Sequence, residues 1–116
     1  MQSAEFIKYM CNCFFAMKVS FMNEMYQGAK ALGANWEDAL TGFVTDKRVG
    51  RSHLMVPGPD GDFGFGGKCF PKDINAFINT LKDAGIHPLV LQAAWEKNLE
   101  VRRNHDWESI PGAVSR

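Results

Sequence analysis

The chain has 116 residues, 46% of them hydrophobic, enough for one modest core and too little for two domains. Thirteen Lys and Arg balance thirteen Asp and Glu, so no global field attracts nucleic acid or an anionic membrane, and any anionic ligand has to be held locally. The apolar run MCNCFFAM, broken by Asn12 and followed by Lys18, falls well short of the roughly 20 residues that span a bilayer, the N-terminus has no signal-peptide pattern, and an odd number of cysteines points to a reducing compartment, the cytoplasm by default.

From Ser3 to Leu32 there is no proline and the only glycine is Gly28. Ile7, Met10, Phe14, Met17, Phe21, Met25 and Leu32 follow a helical period, with Phe6, Phe15 and Met22 widening the stripe. The pattern predicts one long helix stopped by Gly33, its stripe divided between core and dimer seam. At about 1.5 Å per residue such a helix is about 45 Å long, more than a domain of this size covers, so a partner subunit is expected along part of it.

Asn35 reads as an N-cap for a short helix from Trp36 to about Thr45, with Glu37 and Asp38 in its first turn. DKRVG leaves that helix, and the proline- and glycine-rich stretch from Arg51 to Lys68 is a loop. Pro71 suits the first position of the next helix, whose apolar side is Ile74, Phe77, Ile78 and Leu81 and whose end is Gly85. Pro88 opens the last helix, which runs through Leu91, Ala94, Trp95, Leu99 and Val101 to the basic Arg102, Arg103 and His105. ESIPGAVSR shows no periodicity. The expected fold is all-α, a long N-terminal helix packed with shorter ones around a glycine-rich active-site loop, with a domain over 1–106 and a tail over 107–116.

The chemistry concentrates in GDFGFGGKCFPKD, Gly61 to Asp73. A P-loop fails here, because Asp62 stands where the first glycine belongs and Cys69 replaces the hydroxyl residue. A dinucleotide fingerprint fails because Cys69 follows Gly64 and Gly66 where a third glycine is required, with no strand before it. No CxxC or HxxxH spacing supports a metal site. What remains is a thiol just before a helix N-terminus, where orphan N–H groups and the cationic Lys68 and Lys72 favour a thiolate. Asp73 lies one turn on, placed to orient a water or accept a proton. On the residues alone, a buried structural cysteine in a capping loop remains open beside the nucleophile.

The string GFGGKCFPKD resembles the catalytic-cysteine motif of the UDP-glucose and GDP-mannose 6-dehydrogenases, Gly-aromatic-Gly-Gly-x-Cys-hydrophobic-Pro-Lys-Asp, in full. EFIKYMCNCFFAMKVSFMNEM is similar to the family's helix with a lysine and an asparagine four residues apart, here Lys8 and Asn12, and DKRVG to its Asp-x-Arg-hydrophobic-Gly segment, here with Arg48. The likeness covers about residues 4 to 105, the central domain of a longer enzyme. HLMVPGPDGD departs from the resemblance in lacking the lysine that some members carry before the glycines.

The resemblance implies oxidation of a sugar 6-hydroxyl to the acid by NAD, through an aldehyde captured on Cys69 and a thioester released by water. Lys8 and Asn12 would then serve the oxyanion and the water, Asp73 would orient or deprotonate water, Arg48 would clamp the substrate across a homodimer, and Phe65 and Gly66 would line the sugar site. Lys8, Asp73, Arg48 and Phe65 each have a plainer reading: a solvated lysine, a helix-dipole acid, a surface arginine and a loop anchor. His53, His87 and His105 are read as structural or surface residues. These residues contain no Rossmann unit, so NAD is expected on a domain absent from the chain, which alone is expected not to turn over. The alternative is a non-catalytic dimerisation or nucleotide-sugar binding module.

Overall fold

Helix α1 (Ser3–Leu32) runs 30 residues because nothing in its sequence interrupts it, and Gly33 ends it in the left-handed conformation (φ 76°), its N–H returned to the Ala29 carbonyl. The computed structural model describes residues 1–114, and these form four α-helices, one 3-10 turn and no strand. Helix α2 (Trp36–Phe43) opens on Asn35, whose side chain accepts the Asp38 N–H at 2.9 Å, and ends two residues short of Thr45. Helices α3 (Cys69–Asp83) and α4 (Leu89–Val101) follow the glycine loop, and Asp106–Ser109 forms the 3-10 turn. The all-helical expectation holds.

Both α3 and α4 lie against α1. The radius of gyration is 15.0 Å, above the roughly 13 Å of a compact chain of this length, because α1 carries the longest dimension of 42 Å. Besides Met22, the residues that α1 buries are Cys13, Ala16, Ser20 and Asn23, spaced three and four apart, with the half-buried Tyr9 one turn earlier. Being small, they let α4 come close enough for the buried Ser20 hydroxyl to donate to the Ala94 carbonyl at 2.7 Å. The large apolar groups facing them come from elsewhere: Ile74, Phe77 and Ile78 of α3, and Phe65 of the loop. A second cluster, Met22, Leu54 and Val56 with Tyr26, Trp36 and Leu40, fastens α2 and the start of the loop.

This reverses half of the stripe's assignment. Phe6, Ile7, Met10, Phe14, Phe21, Met25 and Leu32 are between 40% and 87% exposed, so nearly all of the helical stripe points away from the core. The period is right, but the core needed small side chains where two helices meet at short range, and the bulky ones were left for the outer face.

One further boundary differs from expectation. Helix α3 begins at Cys69, so Pro71 occupies its third position; a missing N–H is tolerated anywhere in a first turn, where donors have no intrahelical partner. In the segment read as a tail, Trp107 and Ala113 are buried, and Trp107 packs on Trp95 at 5.1 Å between ring centroids.

Candidate active site

The approach to Cys69 is shaped by α4. Asn98, 0% exposed, accepts the Phe65 N–H on Oδ1 at 2.7 Å and donates Nδ2 to the Phe65 carbonyl at 2.9 Å. From α1, Asn23 accepts the Gly64 N–H at 3.1 Å, and from the 3-10 turn Asp106 accepts the Gly67 N–H at 2.9 Å. Arg102, one turn beyond Asn98, holds Asp60 through Nη2 at 2.8 Å, approaches Asp62 and Asp106 at 3.4 and 3.7 Å, and donates to the Asn104 and Phe63 carbonyls. The guanidinium holds the Asp60 carboxyl below its ordinary range; burial pushes Asp62 up, but the Asn104, Phe63 and Arg103 N–H groups outweigh it and leave that carboxyl low as well.

Two glycines are required by this arrangement. A Cβ on Gly64 would overlap Asn98 Oδ1, and the residue sits at φ +65°; a Cβ on Gly66 would overlap Arg102 Nη2 and come within 2.6 Å of Asp106 Oδ1. Arg102 therefore does not act as the helix-end cation that its sequence position suggested. It is buried at the centre of the loop, with His105 Nε2 3.0 Å from its carbonyl oxygen.

Cys69 is exposed at the first position of α3. One turn on, Asp73 is 1% exposed; its Oδ2 accepts the Asn12 amide at 2.6 Å. Lys72 Nζ stands 3.3 Å from Oδ1, a charge contact without hydrogen-bond alignment, so that buried oxygen accepts no hydrogen bond. The structure thus brings Asn12 to Asp73, across 61 positions of sequence. Cys13 sits beneath, its thiol 4.0 Å from the Asp73 carbonyl; burial first, and the Asp73 charge second, push it up to about 11. Of these two thiols it is the inert one.

Lys8 is on the face of α1 that carries Asn12 one turn later, and it lies exposed with Nζ 5.3 Å from the centre of the Tyr9 ring. Arg48 is 90% exposed and makes a forked pair with Asp46 at 3.0 and 2.7 Å, so it does not enter its own chain's site. Phe65 is a buried loop anchor between Phe70 and Trp95, yet with Gly66 it also lines a cleft of about 530 Å³ bounded by Arg51, His53, Asp60 and Phe70. His53 was not expected there. It takes a left-handed φ of 62° and stacks on Phe15 at 4.4 Å, and burial followed by the Lys18 charge lowers its ring below the usual histidine range.

Comparison with known proteins gives this geometry a family. The model of the UDP-glucose/GDP-mannose dehydrogenase family, central domain, matches residues 2–100. The chain belongs to that family. It is 40% identical over 97 residues to a UDP-glucose 6-dehydrogenase of Pseudomonas aeruginosa, covering 84% of this chain and 20% of that protein. It is also 41% identical over 96 residues to that of Rickettsia prowazekii (83% and 21%), and 38% identical over 105 residues to UDP-glucose 6-dehydrogenase TuaD of Bacillus subtilis (90% and 22%). The chain therefore corresponds to the central domain and spans about a fifth of the length of these relatives. No helix among the described residues is long and apolar enough to cross a membrane, and no group of His, Cys, Asp and Glu there could hold a metal ion.

Proposed function

We propose that this chain supplies the reactive cysteine of an NAD-dependent nucleotide-sugar 6-dehydrogenase that oxidises a UDP-sugar or GDP-sugar alcohol to the uronic acid. The observation that supports it is the start of α3: an exposed thiol and, one turn behind it, a buried carboxylate with one oxygen free of hydrogen bonds. The Cys69 thiolate adds to an aldehyde carbon to give a thiohemiacetal, which keeps the reactive intermediate attached. At the thioester level, Asp73 Oδ1 is the acceptor that orients the hydrolytic water and takes its proton. Asn12 uses one amide hydrogen on Asp73 and has a second to offer, and with Lys8 it supplies donors for the developing oxyanion.

The residues described do not fit a dinucleotide, since they form no strand, turn and helix cradle for a pyrophosphate. NAD, which would accept the two hydrides of this chemistry, one in forming the aldehyde and one in taking the thiohemiacetal to the thioester, would be held by a domain or chain beyond these residues, in the cytoplasm. The cleft beside Gly66 and Phe65 is the place for the sugar nucleotide. The outward stripe of α1 supports a homodimer, and across it the exposed Arg48 would reach the partner's cleft.

Cys69→Ser, made in an intact enzyme carrying this segment, is expected to abolish thioester formation and uronic acid production. Undiminished acid from that variant would sink the assignment.

A further inference from the structure

We propose that Asn98 is a positioning residue for the reactive thiol, a reading that rests on Cys69 being the group that reacts. Its one amide takes both backbone groups of Phe65, and so fixes the peptide planes on either side of that residue. The neighbouring peptides are held as well, Gly64 by Asn23 of α1 and Gly67 by Asp106 of the 3-10 turn, while Arg102, four residues after Asn98, fills the space beside Gly66. The backbone from Gly64 to Gly67, which leads towards Cys69, is thereby held by side chains of three other elements, and the cleft lies along it. A second link is through side chains. Phe65 packs edge-on against Phe70, the residue after Cys69, at 6.1 Å, so the anchor that Asn98 holds also braces the first turn of α3.

A polar side chain in the middle of a helix, without solvent contact, is costly unless its hydrogen bonds are complete. Asn98 completes them on a loop rather than on its own helix, both partners being backbone groups of Phe65. That is the pattern of a group whose use is to fix a loop.

The test uses the 116-residue chain and its own cysteines. Iodoacetamide alkylation at Cys69 and Cys11 is followed by peptide mass spectrometry; Cys11, exposed on α1, reports general reactivity, and the buried Cys13 reports that the chain is folded. In Asn98→Ala the Cys69 to Cys11 rate ratio is expected to change by about threefold or more while Cys13 stays protected. Asn98→Asp, which keeps the acceptor for the Phe65 N–H, is expected to change it in the same direction by less. An unchanged ratio in a folded variant overturns the proposal. If Asn98→Ala loses Cys13 protection, Asn98→Asp decides by the same criterion; if both lose it, Asn98 serves global stability and the proposal also falls. The Cys69→Ser experiment decides the nucleophile reading separately, because the ratio reports the loop whether or not Cys69 turns over substrate.

Discussion

Replacing Gly64 by alanine should be far more damaging than replacing Gly61, although both glycines are in the same loop with positive φ, +65° and +83°. An alanine in the left-handed region costs about 1–2 kcal/mol at either site. At Gly61 the new Cβ meets nothing within 4 Å, so the backbone cost is the whole cost. At Gly64 it overlaps Asn98 Oδ1 and lies 3.3 Å from Asn98 Cγ, and Asn98 has no room to withdraw without releasing Phe65. Losing two hydrogen bonds and leaving their groups buried adds roughly 2–4 kcal/mol. Gly64→Ala should therefore cost about 3–6 kcal/mol in all, a large part of the 5–15 kcal/mol that holds a domain of ordinary stability. Urea unfolding followed by circular dichroism measures both variants, with midpoints compared at unchanged slope. A double-mutant cycle with Asn98→Ala identifies the collision, since the extra cost should largely vanish once Asn98 is gone. Equal costs for the two glycine variants, within about 0.5 kcal/mol, would refute the reasoning, because they would mean that Asn98 swings aside freely.

Three further outcomes follow from single observations. Cys13, raised from 9.0 to about 11, should be alkylated roughly a hundredfold more slowly at pH 8 than an unperturbed thiol in the unfolded chain; because the folded state holds this proton more tightly, its contribution to stability, at most about 3 kcal/mol, is complete below pH 9 and lost as the pH rises through 11, and Cys13→Ala should flatten that slope. Asn12→Ala removes the one hydrogen bond to the buried Asp73 carboxylate and should lower unfolding stability by about 1.5–3 kcal/mol in urea titration, whereas an Asn12→Ala loss below 0.5 kcal/mol would show that Asp73 finds another donor. Phe14→Glu on the outer stripe should turn a dimer into a monomer in sedimentation equilibrium: two buried phenylalanines per symmetric interface are worth roughly 3–6 kcal/mol, at least a hundredfold in Kd, and a monomeric parent chain would refute the dimer.

The helices were legible because their signals are local. Asn35 caps α2 through its own side chain, Gly33 and Gly85 end helices through their own φ, and each can be read from a few neighbouring residues. The direction in which α1 faces was not local. Its apolar period is unambiguous, but a period fixes only which residues share a face, and which face turns to the core depends on how closely α4 approaches at Ser20 and Ala94. The start of α3 was misjudged by two residues for a related reason: proline is compatible with several first-turn positions, and the loop's hydrogen bonds to α4 and Asp106 decided between them.

The site divides along the same line. Cys69 and Asp73 share one turn, so their proximity could be read directly, whereas the pairing of Asp73 with Asn12 needed α1 and α3 to be set side by side. The residues that hold the loop, Asn23, Asn98, Arg102 and Asp106, were missed, because each acts on a segment about 30 to 40 positions away and none has a motif. A faint signal did exist. Asn23 and Asn98 are asparagines inside helices, where the type is mildly unfavourable and so hints at a role. In an all-helical chain with a long proline- and glycine-rich loop, backbone groups of that loop have no sheet to pair with, so polar side chains on the helices must complete them. Buried asparagine on a helix facing such a loop is therefore the residue to seek first, and here it leads to the peptides that precede the thiol.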